Sequence, residues 1–442
     1  MPLLRLLVLA LAGFAQAAPP ARVLRLEAKG PITPPLSRHL RDGIAAAESQ
    51  GASAVLMELD TPGGLLDSTR EIVSAMLNST LPVIVHVAPP GSRATSAGVF
   101  ILMASDYAVM APGTHLGAAH PVGLGGEGSP PEKDKKGAKE PAKPSVMSEK
   151  AVSDAAAYVR VLAAEKGRNA AWAERAVRES VSLTAEEALK QNVVELVARD
   201  REELFRRLEG KTILKRGSAR RLRLAGAEVR EFPMAPMRRV LQVIANPNLA
   251  LLFLMLGIYG LIYEFSSPGV GFGAVVGLTS LILAGYALSI LPVNYAGLLL
   301  IVLGIVLLVL ELQIPSYGLL SVGGVTLLVL GALFLFDTDQ AYLKISLEVV
   351  AGTAGATAAF ILLVVSKLLA ARRLKPAVGV ETLIGLTGEA RDALDPRGPV
   401  FVNSELWTAQ APSRVEKGAR VKVVAVEGST LRIEEIKEEP HV

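Results

Sequence analysis

The chain has no cysteine in 442 residues. That excludes disulfides, thiolate metal sites and a cysteine nucleophile. Aromatic residues are scarce, at 5%, and only two are tryptophan. The five histidines fall into no cluster with metal-ligand spacing. No Walker-type phosphate loop is present. Neither sign of charge dominates, and a net charge of +4 over this length gives no reason to expect a nucleic-acid partner. Neither a metal nor a cofactor is expected.

What the chain does have is apolar residues, at 51%, and they are unevenly spread. Residues 20–240 carry most of the charge, whereas 249–370 carry very little. The length predicts more than one domain. At the start, Arg5 precedes "LLVLALAGF" and then "AQA" at 15–17, the pattern of an export signal over 1–18. An uncleaved anchor is the alternative, and either form sends the following segment across the membrane. The exported domain is expected over 19–235.

Five apolar segments, roughly 247–264, 272–292, 295–313, 317–336 and 345–370, are long enough to span a bilayer and predict a membrane domain over 245–372. The basic cluster "ARRLK" at 371–375 should remain cytoplasmic, which puts the exported domain outside and the C-terminus inside. Arg238 and Arg239 pull the other way. The membrane block contains a repeat. "LIYEFSSPGVGFG" begins at Leu261 and "LVLELQIPSYGLL" at Leu308, an offset of 47 residues. Glu264 and Glu311 occupy equivalent places, read either as a polar site for a partner or as interfacial helix-end carboxylates. The last segment, 377–442, shows short β-rich runs broken by turn residues, which predicts a small OB-like barrel. With Trp407 nearly its only aromatic of note, a protein-contact role is expected for it rather than nucleic-acid binding.

In the exported domain, "VLRL" (23–26), "AVLMEL" (54–59), "PVIVHV" (82–87) and "YAVM" (107–110) read as buried strands. They alternate with helical patterns at 36–50, 65–78 and 96–105, followed by 149–166, 170–179 and 184–191, which predicts an α/β layered domain. Two small-residue turns stand out, "ELDTPGGLLDS" and "APPGSRATSAGVF". Backbone N–H groups at such turns can bind an oxyanion. The Gly63–Gly64 pair and the amide of Ala97 are candidate donors, with the Ser96 hydroxyl beside them as nucleophile and Gly98 letting the turn pass. Taken singly, Ser96 reads as a helix N-cap and the glycines as a tight turn; together they favour a hydrolase.

"DTPGG" at 60–64, "TSAGVF" at 95–100, "MAPGTHLGAAHPVG" at 110–123 and "SVSLTAEEAL" at 180–189 resemble the long-form NfeD family of membrane-bound serine peptidases. The resemblance implies a Clp/crotonase-like α/β peptidase fold, followed by a multi-span helical membrane domain and an OB-like barrel. It further implies Ser96 as nucleophile, Gly64 and Ala97 as the oxyanion hole, and Lys150 as general base. Its implied partner is a stomatin-like (SPFH) membrane protein cut near a hydrophobic segment, with the peptidase at least a dimer.

Two residues compete for the base. Lys150 must lose its proton, so its pKa must fall from ~10.4 to roughly 7–8 through burial. It follows the Gly-, Pro- and Lys-rich stretch 126–145, which reads as a loop. His120 is the alternative base and needs no large shift, but it needs a carboxylate behind it, for which Asp154 is a weak candidate. The expected function is a membrane-anchored serine endopeptidase with a Ser-Lys dyad that cleaves hydrophobic segments. The alternative is a catalytically weak membrane scaffold that binds a stomatin-like protein. A crotonase-like thioester enzyme is a remote third reading, since it would not need Ser96.

Overall fold

The computed structural model describes residues 21–121, 146–266, 271–314, 316, 318–336, 343–373 and 380–436. The expected signal over 1–18, the stretch 126–145 and Lys375 lie outside these residues. Two compact units divide at Ala356/Thr357.

In chain order, the first unit opens with β1 (Arg22–Lys29), α1 (Pro34–Ser49), β2 (Ala54–Asp60), α2 (Leu66–Asn78) and β3 (Val83–Val87). Next come β4 (Arg93–Thr95), α3 (Ala97–Ala104), β5 (Tyr107–Met110) and β6 (His115–Gly117). Then follow α4 (Val146–Glu165), α5 (Ala170–Arg178), β7 (Ser182–Thr184), α6 (Ala185–Lys190), β8 (Leu196–Val197) and α7 (Arg201–Leu208). The strands β9 (Thr212–Lys215), β10 (Ser218–Arg221) and β11 (Glu228–Glu231) complete the α/β part.

A six-stranded sheet of order β11-β1-β2-β3-β5-β8 carries the domain, and every pairing in it is parallel. Helical crossovers join its strands, as parallel pairing requires. Period-2 alternation sends the two sets of side chains to opposite faces. Leu24, Leu26, Val55, Met57, Val83 and Val85 pack with α1, α2 and α3 on one face. Val23, Leu56, Ile84 and Val109 pack with Leu204, Phe205 and Leu208 of α7 on the other. Helix α3, AGVFILMA, is apolar on all sides because every residue in it is buried. A second, three-stranded sheet of order β4-β6-β7 stands beside the first and holds the strand that enters α3.

A short helix α8 (Pro236–Ile244) leads into five apolar helices: α9 (Pro247–Ser266), α10 (Phe272–Ile290), α11 (Tyr295–Gln313), α12 (Leu319–Phe334) and α13 (Leu347–Arg373). By length and composition, α9 and α10 are long and apolar enough to cross a membrane, and the other three carry shorter apolar runs. The 47-residue repeat is structural. Glu264 accepts from the amides of Gly271 (3.1 Å) and Gly273 (3.0 Å) at the start of α10. Glu311 accepts from Gly318 (3.1 Å) and Ser321 (3.1 Å) at the start of α12. Each carboxylate therefore ties its own helix to the N-terminus of the next and satisfies amides that would otherwise lack a partner. The glycines repeat as well. A Cβ on Gly277 would meet the carbonyl of Gly257 at 3.0 Å, and one on Gly324 would meet that of Gly304 at 2.8 Å. Each hairpin closes on the same small-residue contact.

The second unit ends in a closed five-stranded barrel of order β12-β13-β14-β16-β15, from β12 (Thr387–Ala390) and β13 (Arg397–Val402) through β14 (Glu405–Gln410), β15 (Arg420–Glu427) and β16 (Thr430–Glu435). Leu394, Val400, Val421, Leu431 and Ile433 fill it, and Trp407 packs against that core. The α/β domain, apolar helices and OB-like barrel are the architecture expected above.

Candidate active site

Two turns meet beside the sheet. The chain leaves β2 at Asp60, and Thr61 then pairs in parallel with Ala94 of β4. The amide of Thr61 donates to the Arg93 carbonyl (2.8 Å), and the amide of Thr95 donates to the Thr61 carbonyl (3.2 Å). The Asp60 carboxylate accepts from the Arg93 amide at 3.2 Å, so its place is one of positioning β4. On the far side, Ile32 clamps the glycines. Its amide donates to the Gly63 carbonyl (2.8 Å), and its carbonyl accepts from Leu65 (2.9 Å). A Cβ on Gly64 would stand 2.3 Å from the Ile32 carbonyl oxygen, so no side chain fits there.

Ser96 stands between the end of β4 and the start of α3, and β4 separates it from β3. Its backbone has φ 53° and ψ −113°, a conformation that a residue with a side chain seldom adopts. Three contacts hold it. Its amide donates to the Gly117 carbonyl (3.1 Å), its carbonyl accepts from Val99 (3.0 Å), and Ala97 and Gly98 behind it are buried. A Cβ on Gly98 would meet Thr61 Cγ2 at 2.8 Å, which explains the glycine. The half-buried Ser96 side chain makes no cap hydrogen bond, so the N-cap role does not account for it. Among the described residues, no protein group accepts from the amides of Gly64 or Ala97. A strained serine and two unspent amides on adjacent, mutually bonded turns can attack a carbonyl and hold the resulting oxyanion.

The base candidates are placed differently. Lys150 is exposed, in the first turns of α4. His120 is exposed too, and its Nδ1 stands 2.9 Å from the Val177 carbonyl. No hydrogen bond joins either to Ser96 among the described residues. Asp154 does not stand behind His120; it pairs with Arg70 of α2, whose guanidinium also lies 5.4 Å over the Tyr158 ring. Tyr158 in turn stacks on Phe100 of α3 at 5.9 Å and so packs α4 against the helix that follows Ser96. Burial raises the Tyr158 hydroxyl pKa against the opposing pull of Arg70.

Thr61, Ile32 and Tyr158 were not singled out from the sequence. The TPGG run contains Thr61, but its bond to Ala94 is a long-range fact. Also missed was a buried ion cluster. Asp106 takes Lys166 (2.8 Å) and Lys215 (2.7 Å), with Asp106 and Lys215 each almost fully buried. Burial lowers the Lys215 pKa although Asp106 opposes it. The cluster ties β9 to the loop before β5 and is structural. No group of three or more His, Asp or Glu that could hold a metal ion occurs among the described residues.

Family profiles match along the chain: the NfeD1b N-terminal domain over 23–213, the NfeD integral membrane domain over 248–367, and the NfeD-like C-terminal, partner-binding domain over 380–435. The membrane-bound protease PH1510 of Pyrococcus horikoshii is 36% identical over 414 residues, 91% of each chain. The membrane protein NfeD1b of Bacillus subtilis is 26% identical over 421 residues, 91% of this chain and 89% of the relative. A solved structure, the 1510-N membrane protease specific for a stomatin homolog from Pyrococcus horikoshii, is 33% identical. It covers 51% of this chain and 98% of its own, with a TM-score of 0.41. The chain belongs to the NfeD family, and within it to the membrane-bound serine endopeptidases.

Proposed function

We propose that Ser96 is the nucleophile of this endopeptidase, with Lys150 as general base and the amides of Gly64 and Ala97 as oxyanion hole. The observation that carries the reading is the Ser96 backbone: strained, uncapped, and held beside two unspent amides. Neutral Lys150 accepts the Oγ proton as Oγ attacks the scissile carbonyl. The oxyanion rests on the two amides. Collapse passes the proton to the departing amine and leaves an acyl-enzyme. A water molecule, deprotonated by the same lysine, then releases the acid.

Lys150 stands exposed in a single chain, so an added surface must desolvate it before it can act as a base. A second copy of the chain or the substrate itself supplies that surface, which is why we also propose at least a dimer. The substrate class is hydrophobic peptide, such as a segment of a stomatin-like membrane partner. The family description of the barrel as partner-binding and the named specificity of the Pyrococcus protein support this. The export signal and the basic cluster at 371–375 support an extracytoplasmic peptidase domain and a cytoplasmic barrel.

The test uses the full chain in detergent with a panel of apolar peptides, read by mass spectrometry. Cleavage by wild type, lost in Ser96→Ala and Lys150→Ala, is the expected result. Full cleavage by folded Ser96→Ala would end the reading. Binding of a stomatin-like protein with no cleavage of any peptide would favour the scaffold instead.

A further inference from the structure

The Gly64 turn is not open to solvent on every side. Together with Ile32 and Leu65 it forms one wall of a cavity of about 510 Å³. Gln242 and Val243 of α8 form another wall, and the membrane part contributes Leu252 of α9, Leu291 just after α10, and Val349 of α13. A volume in this range suits a specific ligand site, and apolar side chains make up most of the lining, beside the polar Thr33, Gln242, Asn246 and Asn248. Helix α8 holds the two parts together. Gln242 donates to the Pro31 carbonyl at 2.9 Å and bonds the Thr33 hydroxyl, and Arg238 pairs with Asp42 at 2.5 Å. Its side chains Met237 and Val240 are apolar and exposed, at 68% and 53%. The helix is followed after two residues by the apolar helix α9, which starts at Pro247. Ser96 does not line the cavity; the cavity begins at Gly64 and runs toward the heads of the spans.

We infer that this cavity is the subsite for apolar substrate residues flanking the scissile bond, entered from the bilayer side. The enzyme then cuts a peptide that is still partly held in the membrane. The inference rests on the assignment of Gly64 to the oxyanion hole. It follows from position: whatever fills the cavity abuts that glycine at one end and the apolar helices, through Leu252, Leu291 and Val349, at the other. A long apolar peptide matches both ends, since its carbonyl lies at Gly64 while its side chains replace lipid contacts with Leu252 and Val349.

The test uses the full chain in lipid nanodiscs with two substrates, a long apolar peptide and a short activated ester without flanking residues. Leu252→Trp and Val349→Trp fill the cavity without touching Ser96, Gly64, Ala97 or Lys150. They should raise KM for the long peptide about tenfold, leaving its kcat and the ester hydrolysis unchanged, since a loss of about 1.4 kcal/mol of uniform binding is tenfold in KM. Unchanged KM in both variants, or equal loss on peptide and ester, would overturn the subsite. A second measurement is independent of turnover. A benzophenone side chain at position 252 in the Ser96→Ala chain should crosslink to the long peptide, whereas adducts with lipid alone would overturn it. Ester hydrolysis in wild type, abolished by Ser96→Ala, keeps failure of the subsite distinct from failure of the nucleophile assignment.

Discussion

The two halves of the proposed dyad are built differently. Ser96 is over-determined: β4, the Thr61 bridge, the Gly117 carbonyl and the buried α3 all fix it, and they hold its backbone in a conformation that costs free energy. Lys150 sits exposed in the first turns of a helix that packs on the core partly at Val152 and fully only from Ala155, Ala156 and Val159 onward. On the proposed assignment the nucleophile and its oxyanion amides are preformed, whereas the base is not. An isolated chain is then expected to have little activity until assembly or substrate binding completes the site.

Substitutions sharpen that contrast. The largest effects are on turnover. Ser96→Ala should abolish cleavage, and Lys150→Ala should lower kcat/KM on the order of 10²–10⁴-fold, the usual worth of a general base. Lys150→Arg should fail equally, because a guanidinium does not release its proton near neutrality. Peptide hydrolysis measured on folded variants checks all three. His120→Ala and Asp154→Asn should lose little, since His120 faces a backbone carbonyl and Asp154 an arginine. A loss in His120→Ala matching that of Lys150→Ala would give the base role to the histidine.

A smaller effect falls on stability and separates the two sites in the opposite sense. Ser96→Gly should raise unfolding free energy by about 1 kcal/mol while eliminating activity, because glycine accepts the φ of 53° that serine resists. Lys150→Ala should change stability by less than about 0.5 kcal/mol, as expected of an exposed side chain. Chemical denaturation of the peptidase transition reads both. A stability loss in Ser96→Gly would show that the serine is not strained.

The smallest effect is on acid stability. Burial lowers the pKa values of His39 and His86 from about 6.5, and Arg238 adds to the effect at His39. Between the lowered folded values and about 6.5 the unfolded chain binds more protons, so stability rises with pH through that window. It is complete above about 6.5 and lost as pH falls through the folded values. The thermal midpoint should therefore drop on acidification below about 6.5, and less steeply in the double variant His39→Phe/His86→Phe. Identical slopes would remove the histidines from the account.

The legible parts of the molecule are those with local signals. Fully buried strands such as VIVHV, the helical patterns and the 47-residue repeat declare themselves by run length and spacing. Strands β4, β6 and β7 have three residues each, RAT, HLG and SLT, too few for any period to show. Yet they hold Ser96. The serine and the glycines were readable as small residues at strand ends, but their meeting depends on Thr61 finding Ala94, which no local pattern encodes. Glu264 and Glu311 were visible as repeat positions. That each binds amides of the following helix became clear only once the hairpins closed.

The central claim is that Ser96 attacks with the help of Lys150, and a covalent probe tests it most directly. A fluorophosphonate reacts with an activated serine hydroxyl, which displaces fluoride. The full chain, labelled in membranes and mapped by peptide mass spectrometry, should carry the phosphonyl group on Ser96. That labelling should be lost in Lys150→Ala and retained in His120→Ala. Modification of a different serine, or undiminished labelling of Ser96 in folded Lys150→Ala, would contradict the account.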